Sequence, residues 1–147
     1  MGEDSSSVMR KLIDGFNTKD HDAIEALAAE DFKLIDVASG ETFQGREGAR
    51  RNAEGWLNAF PDAKIELLNV VASGDWAVGE AVGRGTHSGP LRTPGGEVPP
   101  TGRPMELHFC SIIKVRDGKI VEERDYYDAM TVARALGMMP EPAASSA

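Results

Sequence analysis

Two short stretches carry the carboxylates whose placement suits chemistry: "KLIDV", which contains Asp36, and "EERDYYD", which contains Asp125 and Asp128 around the pair Tyr126 and Tyr127. An acid turned into an apolar cleft loses solvation in its charged form. Its pKa then rises towards neutrality, where it can take or give a proton. With period-two alternation, Leu34 shares the face of Asp36 while Ile35 lies opposite. By the same rule, side chains at 121, 123, 125 and 127 share one face, and Asp128 points away. A plainer reading covers the same residues. Asp36 precedes a Ser-Gly turn, and Glu122, Glu123 and Asp128 suit a solvated strand edge and a helix cap.

The segment "MELHFCSIIKV" has its apolar residues at odd positions: Met105, Leu107, Phe109, Ile113 and Val115. Ser111 is the polar exception on that face, so a buried odd face turns Ser111 inward and His108 outward. An inward serine either binds a ligand or satisfies a neighbouring backbone group. The three histidines, His21, His87 and His108, stand apart from one another, and Cys110 is the single cysteine. No zinc-type spacing joins them, so no metal is expected. A phosphate-cradling loop, a dinucleotide fingerprint and a serine nucleophile elbow are missing as well.

The elements that must position these residues follow from periodicity. "SSVMRKLIDGFNT" spaces Val8, Met9, Leu12, Ile13 and Phe16 by threes and fours, which predicts a helix over 5–17. "KDHDAIEALAAEDF" repeats that pattern more weakly, with Asp20 or Asp22 as its cap, and "DFKLIDV" reads as a short strand. "GREGARRNAEGWLNAF" gathers Ala49, Ala53, Trp56, Leu57 and Phe60 on one face and stops at Pro61. Four strands follow in "AKIELLNVVAS", "DWAVGEAVGRGTH", "MELHFCSIIKVRD" and "GKIVEERDYYD", with "SGD" and "RDG" turning two hairpins. A last helical piece, "AMTVARALG", ends at Gly137. Between two of the strands, "THSGPLRTPGGEVPPTGRP" is far longer than the roughly two to five residues a hairpin needs.

Helices first and antiparallel strands after them predict an α+β domain over residues 1–138, with a flexible tail at 139–147. Its 147 residues carry 24 acidic and 16 basic side chains, a net charge of -8 that repels nucleic acid and anionic membranes. No apolar run approaches the roughly 20 residues that span a bilayer. The opening "MGEDSS" formally matches a myristoylation pattern but has no basic patch beside it. One cysteine and no leader pattern fit the cytoplasm.

Taken together, "AFPDAKIELLNVVASGDWAVGEAVGRGTHSG", "PPTGRPMELHF" and "DGKIVEERDYYDAMTVARALG" resemble the SnoaL-like polyketide cyclase (ester cyclase) family of the NTF2-like superfamily. The resemblance runs from about residue 8 to 137, nearly the whole chain. It implies a cone-shaped, cystatin-like α+β barrel in which a curved mixed sheet of four to six strands wraps around about three helices. The long connection would then lie at the mouth, folded back without regular pairing.

Such cyclases close a ring by an intramolecular aldol reaction without a cofactor. Their acid/base carboxylate lies in the last strand, in a pattern like "EHWDV"; "EERDY" places that role on Asp125. The histidine that assists from the preceding strand falls on Ser111, or on His108 if the register slips, and Arg124 stands where the family often has Trp. The related steroid isomerase branch implies Asp36 as base, with Ser111 near the oxyanion position and Phe16 where a tyrosine is expected. Phe16, Trp56, Phe60, Phe109, Tyr127 and His87 are expected to line the pocket, and Trp76 to be core or wall. The partners implied are a small hydrophobic molecule and a second copy of the chain. A binding protein without turnover, or a structural module, would use the same fold.

Overall fold

A computed structural model describes residues 4–139, so the first three residues and nearly all of the expected tail lie outside the described residues. The described residues form four helices and eight strands: α1 (Ser5–Asn17), α2 (His21–Leu27), β1 (Ala28–Asp36), β2 (Thr42–Gln44), α3 (Gly45–Ala59), β3 (Lys64–Ser73), β4 (Trp76–Thr86), β5 (Leu91–Thr93), β6 (Gly96–Val98), β7 (Pro104–Arg116), β8 (Lys119–Tyr127) and α4 (Ala129–Ala135). Six strands make one mixed sheet in the order β2-β1-β8-β7-β4-β3. β1 runs parallel to β8, and every other pair in it is antiparallel. The sheet curves over the helices without closing into a barrel.

Local chemistry sets the element ends. The Asp4 carboxylate accepts the Ser7 amide at the start of α1, and Asp20 accepts the Ala23 amide at the start of α2. Asp128 caps α4 through Met130 N, and Gly137, at φ 72°, follows its end. Asp117 and Gly118 both take positive φ in the tight turn between β7 and β8, the geometry that matches strand twist. α2 is shorter than its apolar pattern implied. Strand begins already at Ala28, which pairs with Ile120 of β8 and accepts the Arg46 guanidinium.

Two apolar clusters hold the layers together. At one end Val8 and Met9 of α1 and Ala49 and Ala53 of α3 pack with Phe32, Leu34, Ile113 and Ile120 of the sheet. At the other, Leu57, Phe60, Leu91, Met105, Leu107 and Leu136 join the end of α3 to the long connection and α4. The connection is more ordered than expected, since β5 and β6 form a small antiparallel hairpin within it. Its start docks on α3, where Ser88 N and Gly89 N both donate to Ala59 O at 3.1 Å. A Cβ on Gly89 would fall on the Asn58 carbonyl oxygen, a backbone atom that cannot turn aside. Gly89→Ala is therefore expected to destabilise the fold by about 1–3 kcal/mol, the range for forced overpacking. Urea denaturation with an unchanged slope checks this.

No helix among the described residues is long and apolar enough to cross a membrane. The same residues contain no group of three or more histidine, cysteine or acidic side chains arranged to hold a metal ion.

Candidate active site

Between the two clusters lies a cavity of about 130 Å³. α1 lines it with Leu12, Ile13 and Phe16, and α3 and its end with Ala53, Trp56 and Phe60. Met105, Leu107 and Phe109 of β7 form the opposite wall. Polar side chains gather where β7 meets β8: Ser111, Glu123, Asp125 and Tyr127. Arg84 also borders the cavity from β4, its guanidinium held by Glu66 and Glu106 at 3.0 and 2.8 Å.

Sheet register explains why these groups meet. Asp125 lies between Asp36 of β1 and Ser111 of β7, and Tyr127 lies opposite Phe109. Cross-strand neighbours on one face stand roughly 5 Å apart, so their side chains touch. Ser111, only 4% exposed, donates its hydroxyl to Asp125 Oδ1 at 2.7 Å. Asp125 also shares a hydrogen bond with Glu123, two residues earlier on the same face. Burial raises the pKa of Asp125, the hydrogen bonds from Glu123 and Ser111 pull it back, and the charge of Asp36 raises it again. Glu123 is pushed well above the usual carboxylate range, first by burial and then by Asp125. It also borders a second cavity of about 20 Å³, shared with Asn52.

The other expected site residues divide. Phe16, Trp56, Phe60, Phe109 and Tyr127 stand on the wall. Trp56 lies 6.4 Å from Phe60 in a stacked arrangement and meets Tyr127 edge-on at 5.6 Å. Asp36 is buried but absent from the wall: it accepts the Tyr127 hydroxyl at 2.7 Å and the Ser39 amide at 3.0 Å. That pairing and burial raise the phenol pKa of Tyr127, burial contributing most. His108 points away from the cavity, with its side chain 68% exposed and 3.7 Å from Glu106. No register slip occurs, because β7 pairs continuously with β4 from Pro104 to Lys114. Trp76 is 36% exposed and carries the Arg124 and Lys114 cations at 5.4 and 5.6 Å from its ring.

His87 sits behind the wall, fully buried, with its ring 5.4 Å from Phe60. Its Nδ1 accepts the Thr101 amide at 3.2 Å, which leaves the ring proton on Nε2, and Nε2 has no partner among the described residues. Burial holds its pKa below the ordinary value. With the folded pKa depressed, the unfolded chain binds the proton first. Stability is then intact above the unfolded value of about 6.5 and falls as the pH drops below it. The expected slope is up to about 1.4 kcal/mol per pH unit. Chemical denaturation from neutral to mildly acid pH checks this against a His87→Gln variant, which should lose that part of the slope.

Period-two alternation put Glu123 on the face of Asp125, but the solvated-edge reading left it out of the expected site. β8 has no free edge: it pairs with β1 on one side and β7 on the other, and Glu123 is 6% exposed. The available signal was its two-residue spacing from Asp125.

Residues 6–136 match the family model described as SnoaL-like polyketide cyclase. Aklanonic acid methyl ester cyclase DnrD of Streptomyces peucetius is 29% identical over 133 residues, 88% of each chain. The structure of IdmH from Streptomyces antibioticus, assigned as a polyketide cyclase, superposes with a TM-score of 0.72 at 33% identity, covering 90% of this chain and 97% of that one. A protein from Jannaschia sp. CCS1, assigned as a SnoaL-like polyketide cyclase, gives 0.79 at 25% identity, covering 91% and 92%.

Proposed function

This chain belongs to the SnoaL-like polyketide cyclase family, on an NTF2-like fold, and from that premise we propose that it closes a carbon ring on an apolar polyketide ester. The reaction is an intramolecular aldol addition. One observation carries the reading: Asp125 stands on the wall of an otherwise largely apolar cavity, oriented by the Ser111 hydroxyl.

A carbon acid flanked by carbonyls loses its proton only to a base whose pKa has been brought up towards its own. Poor solvation does this for Asp125. The apolar walls keep water from the enolate, and the aromatic rings of Trp56 and Phe60 suit a flat, unsaturated substrate. Aldol addition is redox-neutral and transfers one proton within the substrate, so carboxylates suffice and no cofactor is required.

Aklanonic acid methyl ester is the first substrate to test. Incubation with the protein should give a product of unchanged mass and altered chromatographic retention, at a rate proportional to enzyme. Binding by calorimetry without conversion, across this and related dicarbonyl esters, would make the protein a binder instead. The proposal includes a homodimer through the outer sheet face, where Val71 is 60% and Tyr126 42% exposed. Sedimentation equilibrium should return twice the chain mass; a monomer at high concentration would remove the dimer from the reading.

A further inference from the structure

We propose that Glu123 is a second catalytic residue of the cavity, the acid partner of Asp125 in a pair that holds one proton between two carboxyl groups. The inference rests on the aldol reading above and extends it to the second proton movement that ring closure requires.

Two hydrogen bonds converge on Asp125, from the Ser111 hydroxyl at 2.7 Å and from Glu123. The Ser111 hydroxyl donates to Oδ1, which favours the ionised form of Asp125. Glu123, buried to 6% exposure on the same strand face, supplies the carboxylic acid proton. Two anions so close, in a poorly solvated site, would repel strongly, and retaining one proton removes that cost. The neighbours favour the same state. β1 brings Asp36, whose charge opposes full ionisation, and β8 itself brings Tyr127, held to Asp36. β4 brings Arg84, already bound to Glu66 and Glu106. The helices line both cavities with uncharged side chains.

The balance closes over one turnover. The Asp125 carboxylate removes a proton from the carbon between two carbonyls, and the C–H electron pair becomes the enolate. The enolate carbon bonds to the ketone carbon, whose π pair moves onto its oxygen. Glu123 gives that oxygen its proton. Asp125 then passes the proton it took along the shared hydrogen bond to Glu123. Substrate and product are isomers, and the pair returns to its starting state.

Two measurements on the intact protein test this. Carbon NMR of labelled carboxyl groups, without substrate, should show Glu123 and Asp125 titrating together in two widely separated steps. Independent titration of each, both in the ordinary carboxylate range, would overturn the shared proton. With aklanonic acid methyl ester, Glu123→Gln should lower kcat about 100-fold and abolish the alkaline limb of the pH profile while the acid limb persists. Glu123→Asp should retain that limb. Full activity and both limbs in Glu123→Gln, beside an inactive Asp125→Asn, would remove the acid role and leave the aldol reading intact. Full activity in both variants would overturn the aldol reading together with the pair.

Discussion

Replacing Asp125 by Asn is expected to lower turnover of an aldol substrate by about 100-fold or more, the usual scale for losing a general base. The change keeps shape and an acceptor oxygen for the Ser111 hydroxyl, which lies 2.7 Å from Asp125. It removes the negative charge and the ability to carry a proton. Stability should hold or rise at neutral pH, because burial opposes ionisation of this carboxyl group in the folded state. Its folded pKa lies above the unfolded one, so its charge costs stability as the pH rises above the ordinary carboxylate range, and asparagine has no such cost. Kinetics and urea denaturation on one protein preparation separate the effects. A variant both inactive and unfolded would leave the loss of activity without chemical meaning, and far-UV circular dichroism detects that case.

Phe60→Ala should have the largest effect on stability, about 3–5 kcal/mol, the range for removing a buried aromatic ring. Phe60 is 2% exposed and belongs both to the cavity wall and to the buried cluster with Leu57, Leu91 and Met105. Its ring also faces Trp56 and His87. Truncation therefore opens a void between the cavity and the buried imidazole. Equilibrium denaturation gives the cost directly. A loss below about 1 kcal/mol would mean that the neighbouring side chains collapse into the gap.

Period-two alternation made much of this legible from single strands. It placed Ser111 inward and His108 outward, and it put Asp125 on the face it occupies, because those outcomes depend only on the pleat. Caps and turns were legible for a similar reason: Asp128 before α4, and Asp117-Gly118 between β7 and β8, act on their own neighbours. Pairing is different. Nothing within "EERDYYD" tells whether a strand lies on either side of it, so Glu123 suited a solvent edge until β1 and β7 are seen to enclose it. Asp36 was expected either in the cleft as a base or at the Ser-Gly turn; it is buried off the cavity wall and accepts the Ser39 amide, while its partner Tyr127 lies 91 residues away, beyond any local pattern. The hairpin of β5 and β6 had its signal in Gly95-Gly96, hidden inside a segment treated as one connection. His87 lay in that segment too, and only tertiary packing puts Phe60 between it and the cavity.

The parallel pairing of β1 with β8 has a consequence for how the protein is made. It joins the first strand to the last, and the Asp36–Tyr127 contact spans 91 residues. Long-range pairing requires a large loop to close before any contact repays its entropy, which makes such topologies slow to fold. During synthesis the helices and β3, β4 and β7 can associate as they emerge, but the slot between β1 and β7 stays open until β8 arrives. Until then the apolar wall of Leu12, Phe16 and Leu107 is accessible and two strand edges are unpaired. Ribosome-bound chains ending before residue 119 should therefore bind hydrophobic dyes and holding chaperones, and release them once β8 completes the sheet.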